Sequence, residues 1–390
     1  MQHASSYARS LLGRSLPFTV LLLVNNRWGS ESSSATSQLG IRGRPLTLLG
    51  NGCAALSGVS SAVACERAQD GRFTASTNNT RSSSSRLAVS SDATVNGNDN
   101  ARRTGKTAAD AYFQKHGVIP CPSERHAVLA LPRDVKDNDS RKGILVIGDI
   151  HGCHDELVAL LAKAKHENGG KDFLCVVSVG DLVNKGPASV QVVRLVRSTS
   201  NFFAVRGNHD DGALAAALGD ESRLKKKMYQ WVDGLSDRDV LWLANLPYTI
   251  RIPNALLGGD TDRDTLIVHA GLVPGKELEY QSTDTMVLIR EVEELNEGGT
   301  FKLKYSKRGK QSSPATSPGN VHPWASVWSG PYRVIFGHDA RRGLQVYKDA
   351  IGLDTGACYG KKLTGIILPE ERLVQVDSFD VYSPTGENSD

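Results

Sequence analysis

The chain has 390 residues, of which 39% are hydrophobic and 23% charged, and its formal net charge is +4. These values fit a globular protein of one large or two ordinary domains, and they give no reason to expect a fibrous or membrane class. A charge this small does not by itself indicate a nucleic-acid partner. The six cysteines show no zinc-finger spacing, so we expect free thiols in a reducing compartment.

Residues 1–110 differ in composition from the rest of the chain. They are rich in Ser, Asn, Gly and Arg. Such a segment cannot bury enough apolar surface to offset its chain entropy, so we predict a disordered, low-complexity region. Its first thirty residues contain arginines but no acid, which is typical of an organelle-targeting peptide, although an ordinary disordered tail fits as well. We expect a cytoplasmic protein, with the mitochondrion or plastid as the alternative. The apolar run 16–24 is too short to span a bilayer, so no membrane partner is expected.

The remainder of the chain alternates strands, polar motifs and helices, which predicts an α/β fold. We interpret residues 111–141 as a lead-in, 142–380 as the catalytic domain and 381–390 as a tail. Short apolar runs predict strands at residues 144–147, 174–179, 201–205, 265–268, 332–336, 363–368 and 372–377. Helical spacing predicts helices at residues 155–165, 190–196, 212–218 and 227–243. Residues 275–329 show no clear regularity.

Five short polar motifs stand at or near the ends of predicted strands. They are Gly148-Asp149-Ile150-His151-Gly152, Gly180-Asp181-Leu182-Val183-Asn184-Lys185-Gly186, Gly207-Asn208-His209-Asp210, His269-Ala270-Gly271 and Gly337-His338-Asp339. A strand that ends in such a motif lifts its polar side chain to the carboxyl edge of the sheet, where open α/β sheets bind ligands. Each motif alone also fits an ordinary turn or a buried polar group. Their occurrence together, in this order, predicts one site.

The residue types in these motifs suit two divalent metal ions about 4 Å apart, which can clamp both oxygens of a phosphoryl displacement. Asp149 and His151 lie two residues apart, so at a strand end they point the same way and can hold one ion. Asp181 suits the bridge between the ions. An amide oxygen and two imidazoles are predicted to complete the second ion: Asn208, His269 and His338. Mixed nitrogen and oxygen ligands fit manganese, iron or zinc better than calcium, and we expect manganese.

Further residues beside these motifs have predicted roles in catalysis. His209 follows a ligand directly and is predicted to act as general acid to the leaving oxygen, held by a neighbour that the sequence does not identify. Lys185 and Arg206 are predicted to bind phosphate oxygens, and Arg290 is a candidate for a third such contact, although all three also fit solvated charges. No Ser or Cys stands in an activated setting, so the expected nucleophile is a metal-bridging hydroxide.

On these motifs the chain resembles the calcineurin-like metallophosphoesterases of the phosphoprotein-phosphatase superfamily, over residues 143–377. The resemblance implies a sandwich of two β-sheets flanked by helices. It also implies the same ligand set and the acid role of His209. Asn184-Lys185-Gly186 stands where serine/threonine phosphatases usually carry Asp-Arg-Gly, and Asn208-His209-Asp210 stands where they carry Asn-His-Glu. The chain is more similar to symmetrical bis(5'-nucleosyl)-tetraphosphatases and above all to ApaH-like phosphatases.

That likeness implies hydrolysis of a phosphoanhydride bond, in a dinucleoside tetraphosphate or in the cap of a messenger RNA. The alternatives are a serine/threonine protein phosphatase and, more remotely, a non-catalytic binding scaffold. Basic and aromatic residues near the C-terminal half suit phosphate binding and base stacking, and equally a solvated loop beside two core tryptophans. They are Lys302, Lys304, Tyr305, Lys307, Arg308, Lys310, Trp324 and Trp328.

Overall fold

The structure is a computed structural model that describes residues 87–88, 107–130, 143–258, 263–296, 299–304 and 320–384. Within these residues the strands form two large sheets and one smaller sheet, with helices packed on the outer faces. The predicted fold class, an α/β sandwich of two sheets flanked by helices, is therefore confirmed. The bulk of the segment predicted to be disordered lies outside the described residues.

The first large sheet, sheet I, contains the strands that carry the first three motifs. Its strand order is β15-β14-β3-β4-β5, and its strands are β3 (Ile144–Ile147), β4 (Cys175–Ser178), β5 (Phe202–Ala204), β14 (Lys362–Leu368) and β15 (Arg372–Asp377). The strands β3, β4 and β5 run parallel, and β14 pairs with β3 in the antiparallel sense. The carboxyl ends of β3, β4 and β5 consequently meet along one edge of the sheet.

The second large sheet, sheet II, carries the last two motifs. Its order is β1-β2-β6-β7-β11-β13-β12. The strands are β1 (Leu87–Ala88), β2 (His126–Ala130), β6 (Thr249–Ile252), β7 (Thr265–Val268), β11 (Arg333–Phe336), β12 (Gln345–Val346) and β13 (Ala350–Gly352). β7 and β11 are parallel neighbours, with Ile267 beside Ile335. The motifs that follow β7 and β11 therefore also lie at a shared edge.

The helices and the smaller sheet cover the outer faces. The helices are α1 (Ala108–His116), α2 (His154–Glu167), α3 (Ser189–Ser198), α4 (Asn208–Ala217), α5 (Glu221–Leu224), α6 (Asp237–Ala244) and α7 (Thr283–Leu288). Short 3₁₀ helices span Lys227–Gly234, Asn254–Leu257, Leu278–Tyr280, Trp324–Val327 and Ala357–Tyr359. The smaller antiparallel sheet has the order β10-β8-β9, from β8 (Glu291–Asn296), β9 (Thr300–Lys304) and β10 (Val321–Pro323).

Alternation of side chains along the strands divides the apolar core into layers. Val146 and Val177 of sheet I pack with Ile267 and Ile335 of sheet II in the layer between the sheets. The intervening residues, such as Leu145, face α2 and α3 instead. On the far side of sheet II, a third cluster contains Met286, Trp324, Trp328 and Phe336. The two sheets are thus held face to face, with both motif-bearing edges on one rim.

Two predictions about local structure are wrong. Residues 227–243 do not form one helix, because the side chain of Ser236 accepts a hydrogen bond from the backbone N–H of Asp239 and starts a new helix there. Residues 275–329 are not irregular throughout, since α7 and strands of the smaller sheet occupy much of that stretch. Most side chains of those strands are only partly buried or exposed, so their sequence carries a weak apolar pattern.

The segment before residue 142 also contains structure that the sequence did not suggest. α1 begins at Ala108, inside the segment predicted to be disordered, with Thr107 as its N-cap. β2 lies in the predicted lead-in and pairs with β6 of sheet II. Cys153, Cys175 and Cys358 are free and buried as expected, whereas Cys121 is disulfide-bonded, contrary to the expectation of free thiols. Among the described residues, no helix is both long and apolar enough to cross a membrane.

Candidate metal centre

The predicted ligands of sheet I occupy loops with unusual backbone geometry. His151 and Asp181 have φ angles of 48° and 49°, in the left-handed region that non-glycine residues rarely adopt. The backbone N–H of His151 donates to the carbonyl of Asp181 at 2.8 Å, which joins the two loops. Such strain persists only where the surroundings fix it, and it concentrates at functional sites.

A first group of donor atoms forms around His151. Its Nε2 lies 3.5 Å from Oδ2 of Asp181 and 4.0 Å from Oδ2 of Asp149. Its other ring nitrogen, Nδ1, donates to the carbonyl of Val183 at 3.1 Å. This hydrogen bond leaves the lone pair of Nε2 directed at the two carboxylates, the arrangement typical of a metal-binding imidazole.

A second group forms around the other carboxylate oxygen of Asp181. Oδ1 of Asp181 is 3.3 Å from Nε2 of His269. Oδ1 of Asn208 lies 3.0 Å from that nitrogen and 3.0 Å from Nδ1 of His338. His269 donates through Nδ1 to the carbonyl of Val179 at 3.0 Å, so its Nε2 lone pair also faces inward. The two oxygens of Asp181 therefore face two separate groups, as a bridging carboxylate requires.

Asp149 connects the two sheets at this rim. Both of its carboxylate oxygens lie 3.1 Å from the backbone N–H of His338. The approach is possible because residue 337 is glycine, and a Cβ on Gly337 would lie 1.9 Å from Oδ1 of Asp149. Gly207 serves Asp181 in the same way, with a Cβ position 2.2 Å from its Oδ1. These glycines let the loop backbones close around the carboxylates.

The electrostatics of the buried side chains fit divalent cations. Burial, followed by the nearby charge of Lys185, lowers the pKa of His151 well below its usual value, and burial lowers the pKa of His269 and of His338. Burial therefore favours the neutral form of these imidazoles, which is the form that ligates a metal. Burial also opposes the charge of Asp181, but positive charge around that carboxyl, from Lys185 and from any histidine that carries a second proton, outweighs burial and holds its pKa low.

The pKa of Asp149 is shifted in the opposite direction from that of Asp181. Burial, then the charges of Asp354 and Asp181, raise the pKa of Asp149 well above its usual value. A buried carboxylate of this kind needs positive charge nearby.

Nε2 of His338 is also buried and has no hydrogen-bond partner among the described residues. Geometrically, two groups of three ionisable side chains bring ligand atoms within 4.8 Å of one another: His151, Asp181 and His209, and Asp181, His269 and His338. The residues present therefore fit two metal ions.

His209, the predicted general acid, is also a member of the first of these groups. Its backbone N–H donates to Oδ1 of Asp181 at 2.9 Å, and its ring meets that of His151 edge-on, with centroids 4.8 Å apart. Burial and Lys185 lower the pKa of His209 to about 3. The neighbour that holds its Nδ1, which the sequence did not identify, is the amide of Asn184 at 3.3 Å.

The predicted phosphate-binding cations differ in their surroundings. Nζ of Lys185 lies 2.9 Å from Nε2 of His151 and over the ring of Tyr359. Arg290 donates to the backbone carbonyl of His338 at 3.1 Å, and 41% of its side chain is exposed, so it borders the same rim.

Arg206 does not join these cations. Its side chain is fully buried, its Nε lies 3.2 Å from Oδ1 of Asp211, and it donates to the hydroxyl of Tyr248 at 2.9 Å. Because its charge is already neutralised inside the protein, this arrangement does not support the predicted phosphate contact.

Two further carboxylates belong to the site, and sequence reasoning gave neither a role. Asp210 accepts hydrogen bonds from the backbone N–H groups of Leu182 and Gly207, at 3.0 and 2.9 Å, and so joins the second and third motifs. Asp354 is buried close enough to Asp149 to raise its pKa, and burial raises the pKa of Asp354 itself to about 6. Asp210 could have been found as the third residue of a helix, where acids satisfy free backbone donors.

The basic and aromatic cluster receives little support as a base-binding surface. Trp324 and Trp328 are 1% and 7% exposed and pack edge-on within the core, so they do not offer a stacking face. Lys302 is exposed and pairs with Glu293 at 3.4 Å. Tyr305, Lys307, Arg308, Lys310 and the side chain of Lys304 lie outside the described residues.

The sequence and the fold are similar to those of known proteins. The chain is 29% identical to the symmetrical bis(5'-nucleosyl)-tetraphosphatase of Cronobacter sakazakii over 266 residues, covering 56% of this chain and 88% of that protein. It is 28% identical to the same enzyme of Citrobacter koseri over 290 residues, covering 62% and 97%. A solved structure of a candidate diadenosine tetraphosphatase is similar with a TM-score of 0.50 and 32% identity, over 66% of this chain and 99% of that one.

The match to a protein family covers more than half of the chain. Residues 143–349 match the model of the calcineurin-like phosphoesterases. This range contains the five motifs, and the predicted enzyme class, a metal-dependent phosphohydrolase, is confirmed at the level of the family. The chain belongs to the calcineurin-like phosphoesterase family.

Proposed function

We propose that this protein hydrolyses phosphoanhydride bonds of nucleoside polyphosphates with two divalent metal ions, manganese first among them. The observation that carries the proposal is the position of Asp181, whose two carboxylate oxygens face two groups of inward-directed donor atoms. Two ions held there would draw charge from the phosphoryl oxygens and activate the attacking water.

The chain's own residues supply orientation and charge around that centre. Asp149 and His151 would hold one ion, while Asn208, His269 and His338 would hold the other, with Asp181 shared. Lys185, beside the first group, and Arg290, at the rim, would bind non-bridging phosphate oxygens. His209 would face the leaving oxygen, since its backbone is tied to the bridging carboxylate.

The substrate class is supported by the relatives. The two bacterial proteins are named for cleavage of bis(5'-nucleosyl) tetraphosphates, and both align with this chain over most of their length. The Asn184-Lys185-Gly186 sequence departs from the serine/threonine phosphatase pattern, and its Asn184 and Lys185 contact His209 and His151. The cap of a messenger RNA contains the same kind of bond, a phosphoanhydride chain between two nucleosides, and is our second candidate within the class.

The test is a substrate panel on the full chain reconstituted with manganese, zinc or iron. We expect turnover of diadenosine tetraphosphate, and the products distinguish the bond attacked, because symmetrical cleavage gives two molecules of ADP. Capped RNA and phosphoserine peptides complete the panel. Turnover of phosphopeptides alone would contradict the proposal and favour a protein phosphatase.

A further inference from the structure

Asn184 lies between the rings of His209 and Trp231 and contacts both. Nε1 of Trp231 donates to Oδ1 of Asn184 at 2.8 Å. On its other side, Nδ2 of Asn184 lies 3.3 Å from Nδ1 of His209 and donates to the backbone carbonyl of His209 at 3.3 Å. Asn184 is buried, so its amide forms its hydrogen bonds with these neighbouring groups.

The chemistry of these groups fixes the direction of each hydrogen bond. An indole N–H can only donate, so the atom of Asn184 that faces Trp231 must be the amide oxygen. The amide nitrogen then faces His209, and it too can only donate. Nδ1 of His209 must therefore be the acceptor. A neutral imidazole has one donor and one acceptor nitrogen, so its proton is on Nε2.

Neighbouring structure holds the amide in this orientation. The backbone of Asn184 adopts a left-handed conformation, with φ of 70°, which asparagine tolerates better than most residues. Its N–H donates to Oγ of Ser189 at 2.9 Å. Trp231 comes from the 3₁₀ helix Lys227–Gly234 and packs against the core around α2, α3 and α4. Both ends of the contact are thus anchored.

We propose that Trp231, acting through Asn184, positions His209 as a hydrogen-bond donor from Nε2 and so restricts the enzyme to leaving groups that depart as stable anions. The inference rests on the proposed function and names what the site selects. As the hydroxide adds to phosphorus and forms a new P–O bond, the P–O bond to the leaving group breaks and its electron pair stays on the leaving oxygen. A departing phosphate carries that charge, and a hydrogen bond suffices.

An alkoxide is a different case. When phosphoserine is the substrate, the leaving oxygen must take a proton as the P–O bond breaks, so a histidine protonated on both nitrogens is needed. Such a ring would set its Nδ1–H against the N–H of the Asn184 amide, two donors facing each other. The arrangement therefore favours phosphoanhydrides and aryl phosphates over alkyl phosphoesters.

The experiment compares leaving groups in the metal-loaded full chain. Asn184→Asp keeps the size of the side chain but accepts hydrogen bonds from both Trp231 and a protonated Nδ1. We expect this variant to raise kcat/KM for a phosphoserine peptide, relative to p-nitrophenyl phosphate, by at least about tenfold, because general acid catalysis contributes roughly 10²–10⁴-fold. Trp231→Phe frees the amide to turn and should shift the same ratio in the same direction, by about threefold.

Trp242→Phe is the matched control, since Trp242 lies on α6 and packs against the same core. A ratio that stays within about twofold of the wild-type value in Asn184→Asp, against the roughly 10²–10⁴-fold scale of acid catalysis, would overturn the inference. So would equal ratios in the two tryptophan variants. If the wild type shows no phosphoserine turnover, measurable turnover by Asn184→Asp supports the inference and its absence overturns it.

A spectroscopic readout is independent of activity. ¹⁵N NMR of the zinc-loaded wild type should show His209 protonated on Nε2 and not on Nδ1, and the opposite tautomer would overturn the inference. Failure of the proposed function has another signature, since the wild type would then leave diadenosine tetraphosphate intact. The ratio of kcat/KM for the phosphoserine peptide to kcat/KM for p-nitrophenyl phosphate would remain measurable in that case.

Discussion

Sheet I and sheet II contribute different kinds of donor to the candidate metal centre. The loops after β3, β4 and β5 of sheet I bring both carboxylates, the amide oxygen and one imidazole. These are Asp149, His151, Asp181 and Asn208. The loops after β7 and β11 of sheet II bring two imidazoles, His269 and His338. Most of the negative charge therefore comes from one sheet, and the other completes the second group of donors.

The two contributions also differ in how the chain encodes them. In sheet I the donors come from consecutive parallel strands within residues 149–208, together with Lys185. In sheet II the two histidines are separated by α7 and the smaller sheet, and Arg290 comes from that insertion. On the proposed mechanism, sheet I thus carries the bridging carboxylate and the leaving-group side, while sheet II completes the metal centre. The comparison predicts that losses in sheet I will be the more severe.

The largest expected effect is that of Asp181→Asn, which removes the charge shared by both groups of donors. Metal ions contribute several kcal/mol of transition-state stabilisation. We therefore expect kcat/KM for diadenosine tetraphosphate to fall by on the order of 10³-fold or more. Metal content, measured by elemental analysis after dialysis, should fall below two ions per chain. Asp155→Asn is the control, since Asp155 is an exposed acid at the start of α2.

His338→Ala sharpens this test from the side of sheet II. If it reduced kcat/KM and metal content more than Asp181→Asn, the bridge would not be the decisive element of the centre, and the comparison between the sheets would be wrong.

A second prediction separates two cations that flank sheet I. Arg206→Met should destabilise the protein by roughly 3 kcal/mol, because it removes a fully buried cation and leaves the partly buried Asp211 without its ionic partner. Its KM for diadenosine tetraphosphate should change little. Lys185→Met should show the reverse, with a raised KM and a small change in stability. Urea unfolding and steady-state kinetics measure the two effects. A large rise in KM for Arg206→Met would contradict this prediction and would support the phosphate contact that the sequence predicted.

Much of the fold was predictable because the strands of both sheets are short apolar runs with a glycine or polar motif at their ends. The strands β3 and β7 begin and end at the predicted residues. The rest depends on contacts between distant segments. Nothing beside Arg206 in the sequence indicates its hydrogen bond to Tyr248, and nothing beside Asn184 indicates Trp231. β2 was missed because the segment around it has no sustained periodicity.

The smallest expected effect concerns β2 and tests sheet II away from the metal centre. Nδ1 of His126 lies 2.9 Å from the hydroxyl of Thr249, and burial, then the charge of Arg125, lower the pKa of His126 to about 4. The unfolded chain takes up this proton near pH 6.5, before the folded protein does. The contribution of the neutral His126 to the free energy of unfolding should therefore be fully present above pH 6.5. It should fall as the pH drops towards 4, by on the order of 1–3 kcal/mol.

His126→Gln removes this titration and keeps a polar group beside Thr249. Between pH 7 and pH 4, in metal-free buffer, the free energy of unfolding of the wild type should fall more steeply than that of the variant. Other histidines titrate in both proteins, so the difference between the two curves isolates His126. Parallel curves would show that His126 is protonated equally in both states, and that β2 does not hold the ring in the environment its position in sheet II implies.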